Sequence, residues 1–119
     1  MTKLRIGIAG YGVVGKRRCQ HIDAREDMEV VAVCDRTFED SGTLDGRVVR
    51  HQTYDQLLRE NLDALFVCLT NDVAPEVTIA GLRAGLHVFC EKPPGRNVED
   101  IRRVMKAEAE HPGLCLKYG

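Results

Sequence analysis

Short apolar runs alternate along this chain with longer stretches of mixed, helix-like periodicity. Leu4, Ile6 and Ile8 mark a first strand over about residues 4–9, and the mixed stretch from Val13 to Arg25 reads as a helix. Val30 to Asp35 reads as a second strand. Arg36 to Gly46 is polar, with Ser41-Gly42 and Asp45-Gly46 as turn signals and room for a turn or two of helix near Phe38. Val48 to His51 predicts a short third strand. Thr53-Tyr54-Asp55-Gln56 has the form of a capping box and starts a short helix over Tyr54 to Glu60. Ala64 to Leu69 is continuously apolar, the signature of a strand covered on both faces of a parallel sheet. Thr70-Asn71-Asp72 ends it and supplies a cap for a helix over Val73 to Ala84, with Pro75 in the first turn and Gly85 as the stop. His87 to Cys90 is the fifth strand. Asn97 caps a helix from Val98 to Glu110, His111-Pro112-Gly113 stops it, and Leu114 to Lys117 begins a sixth strand.

Strands alternating with helices predict an α/β fold: a doubly wound parallel sheet with right-handed crossovers, strand order 3-2-1-4-5-6, and a ligand cleft across the carboxyl ends of strands one and four. The 119 residues make a single domain. With 17 basic against 18 acidic residues and few aromatics, nothing points to nucleic acid. No apolar run has the length of a membrane span, and Met1-Thr2-Lys3 leads into the first strand without a signal-peptide layout, so a cytoplasmic protein with no membrane partner is expected. The five cysteines contain no CxxC pair, and four fall in predicted strands. They read as small core residues in a reducing compartment, and no metal site is expected. Cys90 is the one alternative candidate for a catalytic thiol.

The first strand runs into Gly10-Tyr11-Gly12-Val13-Val14-Gly15. Each glycine has its own physical role: Gly10 for the tight turn, Gly12 for access of a diphosphate to the backbone, Gly15 for close helix–sheet packing. Tyr11, Val13 and Val14 complete a loop that opens a helix, whose free N–H groups and dipole favour negative charge. Asp35 ends the second strand about twenty residues further on, where an acid accepts the ribose hydroxyls. This is the Rossmann dinucleotide fingerprint, and the carboxylate favours NAD. Arg36 keeps NADP as the alternative, because its guanidinium either stacks on adenine or pairs with a phosphate. Another nucleotide, such as S-adenosylmethionine, also suits the glycines.

The fifth strand ends in Cys90-Glu91-Lys92-Pro93. Together with Gly10-x-Gly12-x-x-Gly15, Asp35-Arg36 and Ala84-Gly85-Leu86-His87-Val88, this resembles the cofactor domain of the Gfo/Idh/MocA (glucose–fructose oxidoreductase, inositol dehydrogenase) family. The resemblance covers essentially the whole chain. It implies an NAD(P)-binding domain of an oxidoreductase acting on a CH–OH group of a sugar, cyclitol or nucleotide-sugar. It also implies that Lys92 is the catalytic lysine beside the nicotinamide, and that Glu91, Pro93 and, at the end of the fourth strand, Leu69 and Asn71 belong to the cofactor site. Lys92 either orients the alcohol or, with its pKa depressed near a cationic ring, assists proton removal. The bond before Pro93 is a candidate cis peptide.

Two departures from the family pattern accompany the likeness. Asp72 and Ala74 stand where the family often has histidines. The chain also reaches Gly119 about where the family's substrate domain would begin, so residues 1–119 are expected to be the cofactor domain without that second domain, binding the dinucleotide but turning over little substrate. A stand-alone NAD(H)-binding regulatory or interaction module, with a homo-oligomer among its assemblies, is the competing reading. None of His21, His51, His87 and His111 is placed as a general base. Lys16-Arg17-Arg18 and Arg102-Arg103 read as solvated helix faces.

Overall fold

The computed structural model describes residues 2–119. Its elements run β1 (Leu4–Ala9), α1 (Val13–Asp23), β2 (Met28–Cys34), β3 (Gly42–Leu44), β4 (Val48–His51), α2 (Tyr54–Leu57), β5 (Ala64–Val67), α3 (Ala74–Arg83), β6 (His87–Cys90), α4 (Val98–Ala109) and β7 (Leu116–Tyr118). They form one sheet in the order β3-β4-β2-β1-β5-β6-β7. Every pairing is parallel except β3 on β4. Without β3 the order is the expected 3-2-1-4-5-6.

β3 corrects the reading of Arg36 to Gly46 as turns with a turn or two of helix near Phe38: no helix forms there, and residues 42–44 make a strand. Its three residues carry no strand periodicity, and a side chain from the next strand secures them. The Arg50 guanidinium lies over Gly42, donates to the Thr43 carbonyl at 2.6 Å and pairs with Asp40 at 2.8 Å.

The strands divide their side chains between two cores. Leu65 and Val67 of β5 point to the layer made by α2, α3 and α4, where they meet Leu57, Val77, Leu82 and Val88. Ile6 and Ile8 of β1 point the other way, into a cluster with Val30, Val33 and the Cys19 and Ile22 side chains of α1. Each fully buried aliphatic side chain contributes about 1.5–3 kcal/mol relative to exposure. Together they hold the carboxyl ends of β2, β1, β5 and β6 in one row.

The helix ends follow the sequence in two places and depart from it in a third. The Thr53–Gln56 capping box forms, with the Gln56 N–H on Thr53 Oγ1 at 3.3 Å and the Thr53 N–H on Gln56 Oε1 at 3.2 Å. Asn97 Oδ1 accepts the Asp100 N–H at 2.9 Å and caps α4. Thr70, Asn71 and Asp72 do not cap α3 with a side chain, because Val73 is the N-cap residue. The Thr70 hydroxyl donates instead to Asp72 Oδ1 at 2.5 Å, and its carbonyl accepts the Val73 and Ala74 N–H groups at 3.1 and 2.9 Å. Among the cysteines, Cys19, Cys34 and Cys90 are buried as expected. Cys68 is only half-buried, and Cys115, just before β7, is exposed.

Candidate cofactor site

The turn after β1 is fixed by close backbone approach. Gly10 has φ +94°, a left-handed conformation that suits glycine, and a Cβ there would lie 2.3 Å from the Cys68 carbonyl oxygen and 2.9 Å from Leu69 Cδ2. A Cβ on Gly15 would lie 2.0 Å from the Gly10 carbonyl oxygen, so α1 meets the sheet only with a hydrogen at that position. A Cβ on Gly12 would meet nothing within 4 Å. Two of the motif's glycines therefore answer to the fold, and the third faces open space.

That open space lies at the start of α1. Gly12 is the N-cap, no side chain caps the helix, and its first turn carries no acid. The first N–H groups of a helix have no intrahelical partner, and the dipole there is positive. Lys16 is where the helical ladder begins, its N–H reaching the Gly12 carbonyl at 2.9 Å. Val13 and Val14 flank the opening with exposed side chains. Helix α4 provides the contrast: Asn97 caps it, and Glu99 and Asp100 sit in its first turn. The start of α1 fits an anionic diphosphate.

Asp35 follows the carboxyl end of β2. Its Oδ2 accepts the Tyr11 N–H at 2.7 Å, and its Oδ1 accepts the Thr37 N–H at 2.9 Å and the Thr37 hydroxyl at 2.7 Å. Burial pushes the carboxyl's pKa upward, but the Thr37 and Tyr11 hydrogen bonds and the Arg36 charge outweigh it and hold the group below its usual range. An ionised carboxylate offers about four acceptor positions. Three are used, which leaves one free. Arg36 is exposed beside it. The Tyr11 ring packs against Phe38 at 6.3 Å between centroids, and burial raises its phenol to about 12.

The opposite wall is the turn after β6. The Glu91 N–H bonds the Val67 carbonyl at 2.9 Å, which anchors the turn beside β5. The Lys92–Pro93 peptide is cis, as the sequence suggested. Lys92 is exposed at the carboxyl edge, and Asn71 is half-buried beyond the end of β5. Cys90 is fully buried, and that burial pushes its thiol upward, which disfavours the thiolate a nucleophile needs.

Two residues that the sequence does not mark for the site complete this arrangement. The sequence places Arg18 in a basic run on a solvated face, yet its guanidinium pairs with Glu91 and lies 4.9 Å from the centroid of the Phe89 ring. The signal was its position three residues after Gly15, on the helix face that also buries Cys19 and Ile22. Thr37 was signalled by the Asp-x-Thr spacing, which lets a carboxylate bond the backbone two residues on. A concavity of about 710 Å³ lies elsewhere, along α3 and α4 beside Tyr54. Its basic residues, Arg83, Arg103 and Lys106, include those in the last turns of α3 and α4, where cations suit the dipoles.

A family model described as "Oxidoreductase family, NAD-binding Rossmann fold" matches residues 4–118. D-glucoside 3-dehydrogenase of Escherichia coli K12 is 35% identical over 122 aligned positions, covering 98% of this chain and 34% of that protein. Inositol 2-dehydrogenase of Salmonella typhimurium is 29% identical, covering 98% of this chain and 36% of that protein. Among solved structures, myo-inositol 2-dehydrogenase from Lactobacillus plantarum superimposes with a TM-score of 0.87 at 31% identity, over 99% of this chain and 36% of that one. The WlbA dehydrogenase from Bordetella pertussis, solved in complex with NADH and UDP-GlcNAcA, gives 0.85 at 26% identity, over 99% of this chain and 35% of that one. The chain thus spans about a third of the length of the relatives it matches. A glycine loop, a carboxylate and a lysine turn on one sheet edge, matched over nearly every residue, mean that the chain belongs to the Gfo/Idh/MocA oxidoreductase family, as its NAD-binding Rossmann domain.

Proposed function

We propose that this domain binds NAD along the carboxyl edge of β2, β1, β5 and β6 and serves an oxidoreductase acting on a CH–OH group of a sugar, cyclitol or nucleotide-sugar. One observation carries the reading: the uncapped start of α1 over Gly12, the free acceptor position of Asp35 and the exposed Lys92 share that edge. The N–H groups of Gly12, Val13 and Val14 bind the diphosphate, on a loop shaped by Gly10, Tyr11 and Gly15. Asp35 accepts from the adenosine ribose, and Arg36 lies along the adenine. Leu69 and Asn71 border the middle of the cofactor, and Glu91, Lys92 and Pro93 border its nicotinamide end. The carboxylate at Asp35 repels a 2′-phosphate, so NAD is preferred to NADP.

When bound, the nicotinamide supplies the hydride acceptor for the carbinol carbon. The Lys92 ammonium hydrogen-bonds the substrate's hydroxyl oxygen and orients the alcohol. Such a transfer requires an alcohol held at near-attack distance and screened from water. An open cleft does neither, so residues 1–119 act as the cofactor half, and substrate selection falls to groups outside them. Dehydrogenation of a sugar-like alcohol is also what the names of the relatives describe. Free core thiols favour a reducing, cytoplasmic setting. Self-association through the open cleft is the assembly this reading allows.

Titration of NAD, NADH, NADPH and S-adenosylmethionine tests the proposal. NAD and NADH are expected to bind, NADPH more weakly and S-adenosylmethionine not at all. Failure of both NAD and NADH would reject it.

A further inference from the structure

Arg18 connects the two walls of the cleft. Helix α1, which packs on β1 and β2, carries the diphosphate end of the site; the turn after β6 carries Lys92. The Arg18 side chain spans the gap between them and pairs with Glu91, the residue immediately before Lys92. A solvated ion pair of this kind ordinarily contributes little. Here the Glu91 side chain is only 16% exposed, and the arginine has its guanidinium 4.9 Å from the Phe89 ring centroid. Phe89 itself stacks on Phe66 with 4.9 Å between centroids, so the ring beneath the guanidinium is itself packed. A planar cation over an aromatic face, with its donors turned to a carboxylate, is a preorganised geometry that lysine does not reproduce.

We propose that Arg18 is a positioning residue: acting through Glu91 and braced on Phe89, it sets where the Glu91-Lys92-Pro93 turn stands relative to the start of α1. The inference rests on the NAD reading above, since that separation matters only if one extended ligand touches both walls. A dinucleotide fixed at its diphosphate presents its nicotinamide at a set distance, and Lys92 must stand at that distance. Arg18 touches neither the reacting atoms nor the adenosine end. Its loss therefore affects the nicotinamide end alone.

The test compares NADH with ADP-ribose, which keeps the adenosine and the diphosphate but lacks the nicotinamide. Both are titrated against the wild-type chain and the Arg18→Met, Arg18→Lys and Glu91→Gln variants, following NADH fluorescence and its displacement by ADP-ribose. For Arg18→Met, ADP-ribose affinity is expected to stay within about twofold of wild type. NADH affinity should fall by about tenfold, the size of one lost charge-assisted hydrogen bond. The fluorescence enhancement of bound NADH should fall with it. Glu91→Gln, which keeps shape and burial, should reproduce the pattern if Arg18→Met folds poorly, and Arg18→Lys should restore it only in part. Equal losses for both ligands, or none, would overturn the inference and leave the NAD reading standing. A wild-type chain that bound neither ligand would reject the NAD reading and the inference with it.

Discussion

The carboxylate of Asp35 holds the backbone N–H of Tyr11 at 2.7 Å, across 24 residues of sequence. The acid expected to meet the ribose is thus also the clasp of the glycine loop. Its second oxygen is committed to Thr37, which fixes the side chain's direction before any ligand arrives. On the proposed reading, cofactor choice and loop shape depend on one residue.

Asp35→Ala is therefore expected to do two things. Removing charge-assisted hydrogen bonds from the loop lowers stability by about 1–3 kcal/mol. NAD affinity falls by about tenfold or more for the same reason, while NADP loses less because the repelling charge has gone. Parallel urea melts and NAD and NADP titrations read both effects. Unchanged stability would mean that the Tyr11 contact is incidental.

The three motif glycines should separate fold from binding. Gly12→Ala adds a methyl that meets nothing within 4 Å. The variant should fold within about 1 kcal/mol of wild type, the range for changes at an N-cap, yet bind NAD poorly because the methyl occupies the ligand's side of the loop. Gly15→Ala places a methyl 2.0 Å from the Gly10 carbonyl oxygen, and Gly10→Ala one 2.3 Å from that of Cys68. Both should be clearly destabilised. Thermal melts beside NAD titrations distinguish the classes, and normal NAD affinity in Gly12→Ala would remove that loop from the site.

What the sequence made legible was local. The Thr53–Gln56 box, the Asn97 cap and the apolar run of β5 are encoded within a few residues of where they act, and pattern alone finds them. What it concealed was tertiary. β3 exists because Arg50, from the neighbouring strand, folds over Gly42 and bonds Thr43. Arg18 looked like part of a basic run because Glu91 lies 73 residues away. At the start of α3, the Thr70 hydroxyl had a nearer partner in Asp72 than the helix N–H groups it was expected to cap. A site assembled from four strand ends shows its glycines and acids in sequence but not the contacts that tie them together.

Thiol chemistry tests the burial pattern. Burial lifts Cys34 to about 11 and Cys68 to about 12, and pushes Cys19 and Cys90 upward as well. Cys115 is exposed. An aromatic disulfide reagent at pH 8 should titrate Cys115 of the native protein rapidly, the half-buried Cys68 slowly and the three buried thiols only on unfolding, and Cys115→Ser should remove the fast phase. Rapid modification of Cys90 in the native state, located by peptide mass spectrometry, would reopen its candidacy as a nucleophile.

Acid should weaken the fold through particular carboxylates. Asp100 is buried at the start of α4, where Oδ2 accepts the Arg96 N–H at 2.9 Å and the Arg96 and Arg103 side chains add positive charge. The Arg96 backbone bond, reinforced by those charges, holds its pKa below the ordinary value. Asp35 is shifted in the same direction. A folded pKa below the unfolded one means that the native state binds fewer protons between the two values. The stabilisation is then complete above the unfolded pKa, near about 4, and disappears as pH falls through the folded one. Asp100→Asn cannot titrate. Wild type should therefore be the more stable protein at pH 7, and the gap in urea midpoint should close as pH drops below about 4. A gap that stayed constant through that range would mean that Asp100 contributes through shape and hydrogen bonding alone, without its charge.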